Sequence, residues 1–250
     1  VITANEQMEY MRVVTKAMSL IYPEYTDKMN HITHGMMRLP TGKMSSRKGN
    51  VVTGESLIRD TVALVMEKIS AKGGPASGWK EDDRNHLSQQ VGVAAIKYSI
   101  LKQSTGGDIS YDFETSISFE GDSGPYLQYS YARANSVLEK AVQENILQDP
   151  HSDLVEARPN GDSSGRIFEL EKLLYRFPEI VLRSTEEYQP HYIANYLIEV
   201  ARSFNSFYGN NMIVGKGDKT SAYKIALTFA FSFVMKRGLY LLGIEAPEKM

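Results

Sequence analysis

Apolar residues recur at helical spacing along most of this 250-residue sequence, and this periodicity constrains the fold more than any other feature. Residues 148–165 are polar and rich in proline and glycine, so we expect a loop there. The pattern predicts a mainly α protein whose second half is an all-helical bundle. The predicted helices cover residues 57–71, 81–102, 126–146, 166–176, 179–188, 192–208 and 220–242.

Several of these helices have recognisable ends. Ser56 is placed to cap the helix that starts at residue 57. Asp122 or Ser123 is placed to cap the helix at residue 126, where Pro125 is tolerated because the first turn does not need its missing N–H. Gly243 is placed to end the last helix. These signals predict which side chains share a helix face.

Composition and charge exclude several classes of protein. The chain has no cysteine, which excludes a disulfide framework, cysteine-ligated zinc and a thiol nucleophile. Its five histidines do not occur at a familiar metal-binding spacing, and we predict no metal site. The net charge of -2 excludes a polybasic nucleic-acid-binding protein but allows a local basic patch. The longest uncharged apolar stretch, residues 225–235, is too short to cross a bilayer, so we predict no membrane partner.

A basic, turn-rich segment follows a short strand predicted at residues 31–37. Residues 28–54 contain no acidic side chain, and residues 40–50 are typical of a polar loop. The cations of this loop are Lys43, Arg47 and Lys48. Together with the hydroxyls of Ser45 and Ser46, they could bind a triphosphate. An ordinary solvated surface loop fits the same residues and is, from these residues alone, the more frequent outcome.

Two groups of aromatic residues could bind nucleic acid. Tyr126, Tyr129 and Arg133 share one helix face, because they lie three and four residues apart. Aromatic rings and an arginine can stack unpaired bases and hold phosphate. Packing of the tyrosines into the bundle, with Arg133 paired to an acid, is the alternative and is the more common fate of aromatic residues. Phe204 and Tyr208 belong to the second group, in which we expect Phe204 to lie in the core.

Three segments resemble one known family. Residues 42–50, Gly-Lys-Met-Ser-Ser-Arg-Lys-Gly-Asn, resemble the lysine-methionine-serine signature loop of class I aminoacyl-tRNA synthetases. Residues 118–129, Ser-Phe-Glu-Gly-Asp-Ser-Gly-Pro-Tyr-Leu-Gln-Tyr, resemble the opening of the anticodon-binding helical domain of arginyl-tRNA synthetases. Residues 241–250 are similar to the C-terminus of that family. The segments occur in the expected order, and this favours a phosphate-binding role for the basic loop.

The resemblance implies a domain organisation and a reaction. Residues 1–55 would form the end of a Rossmann-type α/β catalytic domain, residues 56–115 connecting helices, and residues 116–250 an all-helical anticodon-binding domain. The complete enzyme would join arginine to ATP, with Mg²⁺, and pass the arginyl group to arginine tRNA. The resemblance further implies a monomer in the cytoplasm.

Family position also implies roles for particular residues. The catalytic loop residues at the ATP phosphates would be Lys43, Ser45, Arg47 and Lys48. The residues beside the adenylate would be Gln7, His34, Gly35, Met36 and Lys43. The residues at the anticodon loop would be Tyr126, Tyr129, Arg133, Tyr208 and Met250.

The sequence departs from the family pattern in two respects. The common loop signature has a second lysine after its first serine, whereas Ser46 stands here, followed by Arg47 and Lys48. The histidine signature of the first half of class I enzymes does not occur, since the chain contains no His-x-Gly-His. We therefore expect a C-terminal portion of a longer protein, unable to activate arginine alone. A non-catalytic RNA-binding module derived from such an enzyme is the alternative, although that module has no use for a phosphate-binding loop.

Overall fold

A computed structural model describes residues 1–39, 53–71, 76–146 and 168–250. Within these ranges the chain is mainly helical and contains two small parallel sheets, which confirms the predicted fold class. None of the described helices is long and apolar enough to cross a membrane.

The N-terminal part of the chain is built around the first sheet. Strand β1 (Ile2–Ala4) pairs in parallel with β2 (Ile32–His34), so that Ala4 lies opposite His34. A 3₁₀ turn (Asn5–Gln7), helix α1 (Met8–Ile21) and a second 3₁₀ turn (Pro23–Tyr25) connect the two strands. This βαβ arrangement is typical of parallel sheets, whose strands need a crossover connection.

The second sheet shows that the strand predicted at residues 31–37 is not continuous. Strand β3 (Met37–Arg38) pairs in parallel with β4 (Ile109–Ser110) rather than extending β2. The chain changes partner at Gly35, whose N–H donates to the Gly107 carbonyl at 3.2 Å. An apolar-rich run of residues cannot reveal such a change of partner, because both short strands have the same local pattern.

Helices α2 (Gly54–Ser70) and α3 (Glu81–Leu101) pack against each other. Their contact buries Val65 and Ile69 against Leu87 and Val91. Thr53, not Ser56, caps α2, because the Thr53 Oγ1 accepts the Ser56 N–H at 3.1 Å. The helix thus starts three residues before the predicted position, at residues that carry no apolar periodicity.

Short helix α4 (Phe113–Ser116) connects the second sheet to the helical bundle. Its cap is Asp112, whose carboxylate accepts the Thr115 N–H at 2.8 Å. This hydrogen bond lowers the pKa of Asp112. Tyr111 is fully buried, and its hydroxyl lies 2.8 Å from the Thr61 hydroxyl on α2. The connection is therefore held to α2 by a buried polar contact.

The rest of the described chain forms the predicted helical bundle. Phe204 and Phe231 stack at its centre with ring centroids 3.9 Å apart, which confirms the expected core position of Phe204. Gly243 has φ of +66° and follows the last helix, as predicted. The bundle helices are α5 (Gly124–Gln143), α6 (Glu169–Tyr175), α7 (Phe177–Glu186), α8 (His191–Asn210) and α9 (Ser221–Leu241).

The start of α5 joins the bundle to α3. Ser123 caps the helix by accepting the Tyr126 N–H at 3.1 Å. A Cβ on Gly124 would lie 2.4 Å from the Ala94 carbonyl oxygen, so only glycine allows this close approach to α3. Tyr98 of α3 donates from its hydroxyl to the Asp122 carboxylate, and burial raises the pKa of Tyr98. These contacts fix the orientation of α5, which carries most of the predicted nucleic-acid-binding residues.

Candidate functional site

Arg133 lies between two tyrosine rings on the surface of the bundle. Its guanidinium carbon is 4.8 Å from the centroid of the Tyr129 ring and 5.3 Å from that of the Tyr208 ring. Tyr208 is 43% exposed, and Arg133 and Tyr129 are half-buried. The structure therefore brings together residues of α5 and α8 that the sequence analysis had placed in separate groups. An arginine over aromatic faces is a favourable cation–π arrangement.

Asn205 holds this arrangement in place. Its Oδ1 accepts a hydrogen bond from Arg133 Nη1. Its Nδ2 donates to the Tyr126 hydroxyl at 3.0 Å and to Ser130 Oγ at 2.9 Å. Sequence reasoning missed Asn205, and the only available signal was its position three residues before Tyr208 on the same helix. The guanidinium orientation is thus set by an amide and two aromatic rings.

The charge of Arg133 is not neutralised by an ion pair within the described part of the chain. Across residues 1–39, 53–71, 76–146 and 168–250, no carboxylate forms an ion pair with it. The alternative in which an acid pairs with Arg133 is therefore not the arrangement observed. A fixed guanidinium with an uncompensated charge can bind a phosphate or the edge of a base.

Tyr126 has a different environment from Tyr129. Its ring packs against the bundle core, and its hydroxyl is engaged by Asn205. Tyr129 instead contacts Phe119 edge to face, with ring centroids 6.2 Å apart. We define the aromatic–arginine surface as Phe119, Tyr129, Arg133 and Tyr208.

The last residue of the chain shares an apolar cluster with one member of this surface. Met250 and Phe119 pack on the same apolar cluster between α2 and α3. The preceding segment is anchored by Gln128, whose Nε2 donates to the Glu245 carbonyl at 2.7 Å. Gln90 also donates, at 2.8 Å, to the Glu245 carboxylate. The tail is therefore held against α3 and α5, and Met250 is half-buried.

The residues predicted to lie beside an adenylate are close to the carboxyl ends of the strands in the first sheet. β1 and β2 are parallel, so the 3₁₀ turn that contains Gln7 begins at the same end of the sheet as His34. Both side chains are exposed, and Met36 is 52% exposed. Ligands of open parallel sheets bind at the carboxyl ends of the strands. We call residues 5–7 and 34–36 the nucleotide edge.

Gly35 is the most constrained residue of the nucleotide edge. It is buried, and a Cβ at this position would lie 2.3 Å from the Gly107 carbonyl oxygen. The next amide, Met36 N–H, donates to the Asp108 carboxylate at 3.0 Å. Asn5 donates from Nδ2 to the Gly106 carbonyl at 2.8 Å. Hydrogen bonds to residues 106–108 thus fix this edge.

The predicted phosphate-binding loop lies outside the part of the chain that the structure describes. Lys43, Ser45, Arg47 and Lys48 lie in residues 40–52, outside the described ranges, and their roles stay predictions.

Of the described histidines, His31 contacts the Thr3 hydroxyl at 2.8 Å. No group of three or more histidine, aspartate or glutamate side chains in the described part of the chain is arranged to hold a metal ion.

Comparison with known proteins identifies relatives of both halves of the chain. Residues 1–113 match the family model described as "tRNA synthetases class I (R), catalytic domain", and residues 127–250 match "DALR anticodon binding domain". The chain is 34% identical over 251 residues to the arginine–tRNA ligase of Clostridium botulinum and 31% identical over 249 residues to that of Latilactobacillus sakei. Each alignment covers 100% of this chain and 42% of the relative.

A solved structure has the same fold. The Thermus thermophilus arginyl-tRNA synthetase superimposes with a TM-score of 0.79 at 24% sequence identity. The match covers 100% of this chain and 40% of that structure. The chain thus spans less than half the length of the relatives that it resembles.

Proposed function

Since this chain belongs to the arginyl-tRNA synthetase family, with the end of the class I catalytic domain followed by the anticodon-binding domain, we propose that it works as part of an arginine–tRNA ligase. The complete enzyme would join arginine to ATP with release of pyrophosphate. It would then pass the arginyl group to the terminal adenosine of arginine tRNA. The observation that carries the RNA-binding part of this proposal is Arg133, held between Tyr129 and Tyr208 on the anticodon-binding domain and without an ion pair among the described residues.

The aromatic–arginine surface would bind the anticodon loop. Unpaired bases stack on aromatic rings, and each such contact contributes about 1–3 kcal/mol. Tyr129 and Tyr208 offer ring faces, and Arg133 would hold a phosphate or a base edge between them. Met250 would contribute an apolar contact at the margin. Tyr126 would act mainly by supporting Asn205 and hence the arginine.

The nucleotide edge would bind the adenosine part of ATP. The absence of a side chain at Gly35 lets its backbone lie directly against Gly107, which holds the neighbouring residues His34 and Met36 in place. Gln7 and His34 offer exposed polar groups, and Met36 offers an apolar contact. The loop cations Lys43, Arg47 and Lys48 would neutralise phosphate charge during transfer, with Ser45 donating a hydrogen bond. Mg²⁺ would be held chiefly by the ATP phosphates themselves.

Arginine-dependent exchange of labelled pyrophosphate into ATP tests this proposal in the full-length protein that carries this chain. We expect exchange that requires arginine and that falls when Lys43 or Lys48 is replaced by alanine. Binding of arginine tRNA without any exchange would contradict the ligase and favour the non-catalytic RNA-binding module. A protein that neither binds arginine tRNA nor exchanges pyrophosphate would contradict both functions.

A further inference from the structure

The turn between α7 and α8 contacts the loop that follows α3. We call residues 187–190 the α7–α8 corner and residues 104–107 the α3–β4 loop. The Thr105 N–H donates to Gln189 Oε1 at 2.9 Å. The Thr105 hydroxyl donates to the Tyr188 carbonyl at 2.8 Å. The N–H and the hydroxyl of one loop residue are therefore both held by the helical bundle, across more than 80 residues of sequence.

The α7–α8 corner is itself rigidly fixed. Tyr188 adopts φ of +54°, a left-handed conformation that is unfavourable for a large side chain and persists only where surrounding contacts impose it. The Gln189 N–H donates to the Ser184 carbonyl at 3.0 Å, and Ser184 Oγ donates back to the Gln189 carbonyl at 2.9 Å. The Tyr188 hydroxyl accepts a hydrogen bond from Asn30 at 2.9 Å, two residues before β2. The corner thus offers Thr105 acceptors in a defined position.

The opposite side of the α3–β4 loop supports the nucleotide edge. The Gly106 carbonyl accepts from Asn5 at 2.8 Å, and the Gly107 carbonyl accepts from the Gly35 N–H at 3.2 Å. Gly35 is in such close contact with Gly107 that even a methyl group has no space between them. A displacement of the loop must therefore displace Gly35 or break its hydrogen bond.

We propose that Thr105 and Gln189 are positioning residues for arginine activation. By holding the α3–β4 loop, the α7–α8 corner of the anticodon-binding domain sets where Asn5 and Gly35 present the nucleotide edge. This inference rests on the proposed function, because the position of the nucleotide edge matters for arginine activation only if the edge binds ATP. Thr105 is half-buried, so its amide loses a hydrogen bond that water replaces poorly when the Gln189 acceptor is removed.

Substitutions that remove one hydrogen bond and keep side-chain volume test the proposal in the full-length protein. Gln189→Met removes the acceptor and Gln189→Glu retains it, while Thr105→Val removes the hydroxyl and Thr105→Ser retains it. Gln143→Met, at the exposed end of α5, is the matched control. The measurement is the KM for ATP and the kcat of arginine-dependent pyrophosphate exchange, together with the Kd for arginine tRNA.

We expect Gln189→Met and Thr105→Val to raise the KM for ATP by roughly 2- to 30-fold, as for other residues that couple two regions of a protein. Gln189→Glu, Thr105→Ser and Gln143→Met should keep the wild-type KM, and all variants should keep the wild-type Kd for tRNA. If Gln189→Met does not fold, Thr105→Val and its serine control carry the same test.

Two results would overturn the inference. One is an unchanged KM for ATP in both disruptive variants while the wild-type enzyme is active. The other is equal impairment of the disruptive and the conservative variants, which is the signature of a purely structural contact. A wild-type protein without arginine-dependent exchange would overturn the proposed function, and with it the inference that rests on it.

Discussion

The two candidate sites are built in different ways. The aromatic–arginine surface is formed by side chains, mostly of two long helices, and Asn205 joins α5 to α8 beside it. The nucleotide edge is formed by short segments at the ends of two strands, and contacts to the loop backbone at Gly106 and Gly107 hold it in place. The first site should therefore tolerate backbone changes nearby and respond to side-chain chemistry. The second should be sensitive to any side chain added at Gly35, whatever its chemistry.

The largest effect is expected for Gly35→Ala in the full-length enzyme. The new methyl group has no space beside the Gly107 carbonyl, so the nucleotide edge must shift. A shift of about 1 Å at a reaction site can cost about 10²-fold in rate, and we expect a loss of this size in pyrophosphate exchange. The Kd for arginine tRNA should stay at its wild-type value.

Gly54→Ala is the control for this variant, because nothing lies within 4 Å of a Cβ at position 54. It should leave pyrophosphate exchange unchanged. Full activity of Gly35→Ala would show that the nucleotide edge is not where ATP binds.

A smaller effect is expected for Lys43→Ala or Lys48→Ala. Loss of one charged hydrogen bond to phosphate costs about 1.5 kcal/mol or more, which corresponds to a rate roughly tenfold lower. Pyrophosphate exchange reports this loss, and filter binding of arginine tRNA should report no change. Normal exchange in both variants would remove the basic loop from the mechanism and leave the surface-loop interpretation standing.

Replacement of Tyr129 tests the aromatic–arginine surface instead of the nucleotide edge. Tyr129→Ala should weaken binding of arginine tRNA by about 1–3 kcal/mol if the ring stacks a base. Tyr129→Phe keeps the ring and should keep most of the affinity. Thermal unfolding separates the alternatives, since unchanged affinity with a lowered Tm would mean that Tyr129 only packs against Phe119.

The smallest effect is expected for Asn205→Asp. The new carboxylate would pair with Arg133 and neutralise its charge without changing side-chain size. We expect a loss of tRNA affinity of about 1 kcal/mol at low salt. We also expect a shallower slope of log affinity against log salt, by the amount that corresponds to the loss of about one phosphate contact. An unchanged salt slope would show that Arg133 does not contact a phosphate.

The contrast between side chains on one helix face and contacts between distant segments also explains how much the sequence could predict. Tyr129 and Arg133 were found because helical periodicity places them on one face, and periodicity is a local property of the sequence. Helix starts were predicted less well, as at Thr53, because a cap precedes the first apolar residue of its helix. The capping role of Ser123 was accessible because glycine and proline surround it.

Contacts between residues that are distant in sequence left no such signal. Asn205 lies 72 residues from Arg133, and Gln189 lies 84 residues from Thr105. Neither pair shares a motif, and each depends on how the helices pack. The break between β2 and β3 was missed for the same reason, since Gly35 changes partner only because Gly107 is beside it.

The measurement that tests the account most directly is the binding of this chain to arginine tRNA and to the same tRNA with a changed anticodon. Both titrations are run at two salt concentrations, because phosphate contacts make affinity depend on salt. The account predicts tighter binding to the unchanged anticodon at both concentrations, and loss of this preference in Tyr129→Ala. Equal affinity for the two tRNAs at both salt concentrations would contradict the claim that the aromatic–arginine surface reads the anticodon.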